Sequence, residues 1–247
     1  MELTQPSSAT HPTIEVSENP AKEAGRYLND LLSLHINKPV LFLVAGGSSL
    51  DVLEYILPEF IPENLTITVT DERFTDDMDQ NNFDVLQSTK FYSDVSEVES
   101  SVINTAVFAG DDLDFHAARF EKNLREWIAE FPNGKIIALY GIGADGHTAG
   151  IIPHVYEGDL FEQKFNSDSL VATVLDKAEL GGFPERVTTT FSFMKKVHFP
   201  IFYAKGEGKR IALQNALKDD TKLSDTPAHI IKELKGAILF TDLKDIA

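Results

Sequence analysis

The stretch Val40-Leu41-Phe42-Leu43-Val44-Ala45-Gly46-Gly47-Ser48-Ser49 decides the fold class. Its first five residues are apolar without interruption. A strand needs that pattern when helices cover both faces of its sheet, as in parallel sheets. The two glycines and two serines end the strand, and a helical pattern follows in Leu50, Val52, Leu53, Ile56 and Leu57.

The same alternation extends in both directions. Upstream, Asn19-Pro20 reads as an N-cap followed by proline at the first helical position, ahead of Ala21, Ala24, Tyr27, Leu28, Leu31 and Leu32 at helical spacing. Downstream, residues 65–70 (LTITVT) are rich in β-branched side chains and read as a strand, and residues 71–82 as a polar loop. Residues 105–109 read as a short strand, 113–128 as a helix, 135–140 as a strand and 141–150 as a glycine-rich loop. Residues 151–166 read as loop. Further strands are expected at 170–175, 197–204 and 237–241, and helices at 206–217 and 227–234. Strand–helix alternation over this length predicts an α/β fold with a mostly parallel sheet flanked by helices. Residues 14–247 are expected to form one domain, and the polar residues 1–13 a loose, flexible tail.

Composition narrows the function classes. The chain has 247 residues, 43% of them hydrophobic, with 22 Lys+Arg against 39 Asp+Glu, a formal charge of −17 and a pI near 4.7. That apolar fraction is too high for a disordered acidic chain, and the length can bury a substantial core without staples. With no cysteine, disulfides, thiolate nucleophiles and zinc-thiolate sites are excluded. The negative charge argues against nucleic acid, which needs a positive face. The segment 1–13 has neither the basic nor the apolar region of a signal peptide, and no apolar run approaches the roughly 20 residues of a membrane span. A cytoplasmic protein is expected.

In open α/β sheets, ligands bind in loops beyond the carboxyl ends of the strands, and four loops there carry unusual residues. Gly46-Gly47-Ser48-Ser49 lets the backbone approach a ligand and offers N–H groups and a hydroxyl to a phosphate; a tight strand–helix turn with a serine cap uses the same residues. Asp71-Glu72-Arg73, followed by Asn81-Asn82, offers polar groups to a ligand, although a solvated loop has the same composition. Gly141-Ile142-Gly143-Ala144-Asp145-Gly146-His147-Thr148 presents an acid and an imidazole on a glycine-rich loop, and a neutral imidazole can take and return a proton. Its Gly-x-Gly-x-x-Gly spacing matches a dinucleotide turn, but the strand with a ribose-binding acid about 20 residues on is missing, so NAD is rejected. Arg186, in Pro184–Thr190, and Lys209, in Gly206-Glu207-Gly208-Lys209, are candidate anion binders. The other six histidines (His11, His35, His116, His154, His198 and His229) read as structural or surface residues.

Together these landmarks resemble the 6-phosphogluconolactonases, within the group that also holds the glucosamine-6-phosphate isomerases/deaminases. They come in family order over roughly residues 19–242, and Asp145-Gly146-His147-Thr148-Ala149 is the most specific. The resemblance implies a single Rossmann-like α/β domain that hydrolyses 6-phospho-D-glucono-1,5-lactone to 6-phospho-D-gluconate in the oxidative pentose phosphate pathway. It implies no cofactor, no metal, and a monomer or homodimer acting on a small phosphosugar lactone. It assigns His147 as general base and then acid, with Asp145 orienting the imidazole or its loop. Substrate contacts fall to Gly46, Gly47, Ser48, Asp71, Arg73, Asn82, Gly141, Gly143, Arg186 and Lys209. Glu72 is expected to hold an arginine in place.

The chain departs from the family pattern in places. Gly-Gly-Ser-Ser-Leu at 46–50 stands where Gly-Gly-Ser-Thr-Pro is usual, Asn81 stands where Ser is common, and Gly150-Ile151-Ile152-Pro153-His154 replaces Ser-Leu-Phe-Pro-Gly. Two alternatives are weighed. A glucosamine-6-phosphate isomerase/deaminase resembles this chain, but that branch carries a ring-opening Glu five residues after the His, where this chain has Ile152. A non-catalytic sugar-phosphate sensor would keep the pocket without turnover. Arginine is scarce, only Arg26, Arg73, Arg119, Arg125, Arg186 and Arg210, so a small positive pocket is expected within a strongly negative surface.

Overall fold

A computed structural model describes residues 11–98, 100–177 and 182–246. The strands are β1 (Thr13–Val16), β2 (Val40–Val44), β3 (Leu65–Val69), β4 (Asp71–Arg73), β5 (Ser101–Val102), β6 (Lys135–Gly141), β7 (Val171–Leu175), β8 (Glu185–Thr189), β9 (Phe199–Ala204) and β10 (Ile238–Thr241). The α-helices are α1 (Pro20–Leu34), α2 (Asn82–Gln87), α3 (Lys90–Ser96), α4 (Leu113–Glu130), α5 (Gly158–Phe165), α6 (Phe191–Met194) and α7 (Arg210–Leu217). Seven strands form one sheet in the order β1-β10-β9-β6-β2-β3-β5, and every pairing in it is parallel.

The uninterrupted apolar strands are explained by the two cores they feed. Leu41, Leu43, Ala138, Tyr140, Phe202 and Leu239 point into one core, with Phe120, Leu124 and Trp127 of α4. Val40, Phe42, Val44, Ile137, Leu139, Ile201 and Tyr203 point into the other, with Ala24, Leu28 and Leu31 of α1. Successive side chains thus leave opposite faces of the sheet, and each face needs an apolar residue. α1 begins as the sequence predicts, with Asn19 accepting a hydrogen bond from the Lys22 amide and Pro20 at the first helical position.

The chain runs from β2 outward to β3 and β5, then returns through α4 to β6 on the other flank of β2. The order reverses between β2 and β6, and their carboxyl ends open the crevice where open α/β sheets bind ligands. A second, antiparallel sheet in the order β4-β8-β7 adjoins this end. Thr70 links the two: its amide donates to the Val44 carbonyl, and its own carbonyl accepts from the Thr189 amide and hydroxyl.

Several local expectations are corrected. Residues 105–109 form no strand; the strand of that region is β5, and Asn104 caps the Ala106 amide while Arg119 takes the Ala106 carbonyl. The polar loop at 71–82 contains β4, held by pairing with β8. The 151–166 loop contains α5, whose Phe161 and Phe165 fill the core. The expected helix after Ser49 is a 3-10 helix, Gly47–Tyr55, and that near the C-terminus is also 3-10, Pro227–Lys232. Residue 13 of the expected tail opens β1, which pairs with β10; residues 1–10 lie outside the described residues. No described helix is long and apolar enough to cross a membrane.

Candidate active site

The crevice between the ends of β2 and β6 is an open cleft with a cavity volume of ≈ 130 Å³. Gly46, Gly47, Ser48, Asp71, Arg73, Asn82, Gly141, Gly143, His147, Arg186 and Lys209 all line it. Asp145 is not part of the lining but is hydrogen-bonded to His147, and Glu72 and Asn81 are likewise absent from it. Ser49, Ile142 and Ala149 complete the lining beside Ala45. Ser49 is buried, and its hydroxyl has no hydrogen-bond partner.

The imidazole is held by its own loop. His147 Nδ1 lies 2.6 Å from Asp145 Oδ1, which also accepts the His147 amide at 3.1 Å. The Gly143 amide donates to the His147 carbonyl and the Gly146 amide to the Gly143 carbonyl, closing residues 143–147 into a tight turn. Gly146 has φ +92, in the region where glycine carries no steric penalty. A side chain at Gly143 would overlap both the His147 ring and the Asp145 carboxyl. The Ala228 amide donates to the Gly146 carbonyl, and the Thr148 hydroxyl to the Gly141 carbonyl, so the loop is braced from both ends. Burial pushes the Asp145 carboxyl up, but the hydrogen bonds and charge of His147 outweigh it and hold the group below the usual carboxylate range. An ionised Asp145 selects the Nδ1–H tautomer, which leaves the Nε2 lone pair available as a base.

The same cleft also carries three cationic side chains. Arg73 on β4 and Arg186 on β8 are register partners, and Arg186 is buried with Nη1 3.7 Å from Asp71 Oδ2. Arg73 donates to the Gln80 carbonyl and lies 4.2 Å from the centroid of the Phe183 ring. Burial and the charge of Arg186 both lower the Arg73 pKa, against Asp71 and Glu72. Lys209 follows Gly206, which adopts φ +94 and donates its amide to Asp242. Burial lowers the Lys209 pKa, and the Asp145 charge opposes that. An anion seated among these cations would offset their desolvation and mutual repulsion.

Residues 71–73 and 80–83 are stitched together. The Asn82 side chain donates to the Asp71 carbonyl at 2.9 Å, and the Thr70 hydroxyl donates to the Asp71 carboxylate. A side chain at Gly46 would collide with Asn82, so the first glycine turn packs directly on this clasp. Glu72, expected to hold an arginine in place, accepts the Arg73 amide rather than its guanidinium, together with the amides of Asn82 and Phe83. The sequence reading also missed Phe183, since one aromatic residue in a polar segment carries no signal of what it stacks on. Among the described residues, no group of three or more His, Asp or Glu side chains is arranged to hold a metal ion.

A family model described as glucosamine-6-phosphate isomerases/6-phosphogluconolactonase matches residues 9–240. The chain belongs to this family. Solved structures of similar fold include a 6-phosphogluconolactonase from Plasmodium vivax, with TM-score 0.73 and 13% identity, over 98% of this chain and 94% of that one. The 6-phosphogluconolactonase from Trypanosoma brucei gives 0.72 and 19% identity, over 96% and 97%. That from Shewanella baltica OS155 gives 0.70 and 17%, over 94% and 97%. No curated protein sequence matches the chain. The single α/β domain with its parallel sheet is the architecture this family membership leads one to expect.

Proposed function

We propose that the protein hydrolyses 6-phospho-D-glucono-1,5-lactone to 6-phospho-D-gluconate. The observation that carries this reading is the Asp145–His147 pair, 2.6 Å apart, on the same cleft as Arg73, Arg186 and Lys209. A general base and an anion cradle facing one small cleft suit a neutral ester that carries a phosphate. In this reading Ser48, the Gly46–Gly47 turn, Arg73, Arg186 and Lys209 bind the phosphate and neighbouring oxygens, and Asp71 and Asn82 bind sugar hydroxyls.

His147 Nε2 takes a proton from water as the water oxygen attacks the lactone carbonyl carbon. Negative charge develops on the carbonyl oxygen, and backbone N–H groups of the glycine-rich loops that are not already bonded act as its donors. Collapse of the tetrahedral intermediate breaks the bond to the ring oxygen, which receives the proton back from the imidazolium. Asp145 keeps the ring in the required tautomer and stabilises its charged form, as the acid of a hydrolytic triad does. We place the reaction in the oxidative pentose phosphate pathway and the protein in the cytoplasm, as a monomer or homodimer.

The isomerase reading is disfavoured by position 152. Ile152 is buried in the hydrophobic core, and it offers no carboxylate for ring opening. The deciding experiment uses freshly generated 6-phosphogluconolactone. The purified protein should speed its hydrolysis well above the spontaneous rate and release no ammonia from glucosamine 6-phosphate. Tight 6-phosphogluconate binding without turnover would instead favour a sensor.

A further inference from the structure

We propose that Glu72 is a positioning residue for substrate affinity, a buried carboxylate that holds Arg73 and Asn82 in place without touching the substrate. The inference rests on the phosphosugar reading of the cleft. Side chains alternate along a strand, so Asp71 and Arg73 of β4 both line the cleft while Glu72 between them turns away from it. It is fully buried. Its Oε1 accepts the amides of Arg73 and Asn82; its Oε2 accepts the Phe83 amide at 2.9 Å and the Thr105 hydroxyl at 3.0 Å.

This arrangement calls for a carboxylate in particular. Three of the four partners are backbone N–H groups, which can only donate. A glutamine has one carbonyl oxygen and one NH₂. Whichever way its amide is turned, the NH₂ faces at least one backbone N–H, and that bond is lost. The amides concerned belong to Arg73, whose guanidinium faces the phosphate subsite, and to the first turn of α2, which carries Asn82 into the cleft wall. The other ties across the clasp are made by side chains of Arg73, Asn81 and Asn82 themselves. Glu72 is the side chain that ties the backbone of β4 to the first turn of α2, and Thr105 braces it from a third segment. Burial pushes the Glu72 carboxyl up, and the Asn82, Phe83 and Thr105 hydrogen bonds oppose it; donors on both oxygens favour the ionised form.

The test is Glu72→Gln in the full chain, with Thr105→Val as the milder variant that removes one donor and leaves the three amides. Loss of one hydrogen bond to a charged group is expected to raise KM about tenfold. kcat should stay within about threefold, because the His147 loop is built on a different strand. Thr105→Val should raise KM less. Amide hydrogen exchange at Arg73, Asn82 and Phe83 should quicken in Glu72→Gln. Calorimetric titration with 6-phosphogluconate should show the same loss of affinity. An unchanged KM in folded Glu72→Gln, or a fall in kcat at constant KM, overturns the proposal. If Glu72→Gln does not fold, an unchanged KM in Thr105→Val overturns it. If the wild type neither hydrolyses the lactone nor binds 6-phosphogluconate, the reading of the cleft itself fails, and the inference with it.

Discussion

Arg73 and Arg186 face each other as direct register partners on antiparallel strands, and the Phe183 ring lies 4.2 Å from one guanidinium and 5.6 Å from the other. Like charges directly opposite in a sheet are unfavourable, and Asp71 beside Arg186 offsets part of that repulsion. A bound phosphate should offset more. At a ligand concentration 100 times Kd, 6-phosphogluconate should stabilise the wild type by about 2.7 kcal/mol. In Arg73→Gln, a tenfold loss of affinity should remove about 1.4 kcal/mol of that at the same concentration. Thermal unfolding with and without ligand measures both, and an undiminished shift in the variant would remove Arg73 from the phosphate subsite.

His147→Ala should lower kcat by about 10²–10⁴, the usual contribution of a general base, with little change in KM. Asp145→Asn keeps the shape but loses the charge that favours the Nδ1–H tautomer and the imidazolium, so it should also act on kcat. Full activity in His147→Ala would refute the assignment. Gly143→Ala supplies a control for the loop, because a methyl group there meets the His147 ring and the Asp145 carboxyl. Its far-ultraviolet circular dichroism should match the wild type while its kcat falls.

His116 should make the fold sensitive to acid. It is fully buried, packed edge-on against Phe74, and neither ring nitrogen has a hydrogen-bond partner. Burial lowers its pKa from 6.5 to about 4, with Arg119 adding to the shift and Asp111 opposing it. Between these values the unfolded chain holds more protons than the folded one, so stability rises with pH across the window. Acidification from about pH 6.5 towards pH 4 should therefore remove stability on the order of 3 kcal/mol. His116→Leu should flatten that slope in urea unfolding measured across the window. An equal slope in the variant would show that other groups carry it.

Salt dependence tests the electrostatic setting. With a formal charge of −17, the long-range field repels an anionic substrate, and capture depends on short-range contacts inside the cleft. Raising salt from low ionic strength should leave kcat/KM unchanged or raise it. A steep fall would mean that the cationic cleft steers the substrate from a distance.

Much of this was legible in the sequence because burial and chemistry both leave local marks. Residues 40–44 and 135–140 could be read as central strands because each position meets one of two cores and must be apolar. The asparagine and proline that open α1 also act through neighbours in the chain. His147 and Asp145 stood out because an imidazole and an acid sit among three glycines, whereas Arg73, Arg186 and Lys209 stood out only through the order of the landmarks taken together. None of these readings requires knowing what lies across the molecule.

Tertiary structure alone decided the rest. Asp71-Glu72-Arg73 has the composition of a solvated loop, yet it is a strand, because β8 pairs with it and three donors from two other segments close on Glu72. Residues 105–109 have the composition of a strand, yet they form none, because their polar groups are taken by Asn104, Glu72 and Arg119. The meeting of the His147 loop with Arg73 and Arg186 in one cleft was likewise invisible locally. It follows from the reversal of strand order between β2 and β6 and from the small sheet beside it. Sequence patterns report the polarity of the environment a residue needs; only the packed chain determines which partners, from which distance along it, provide that environment.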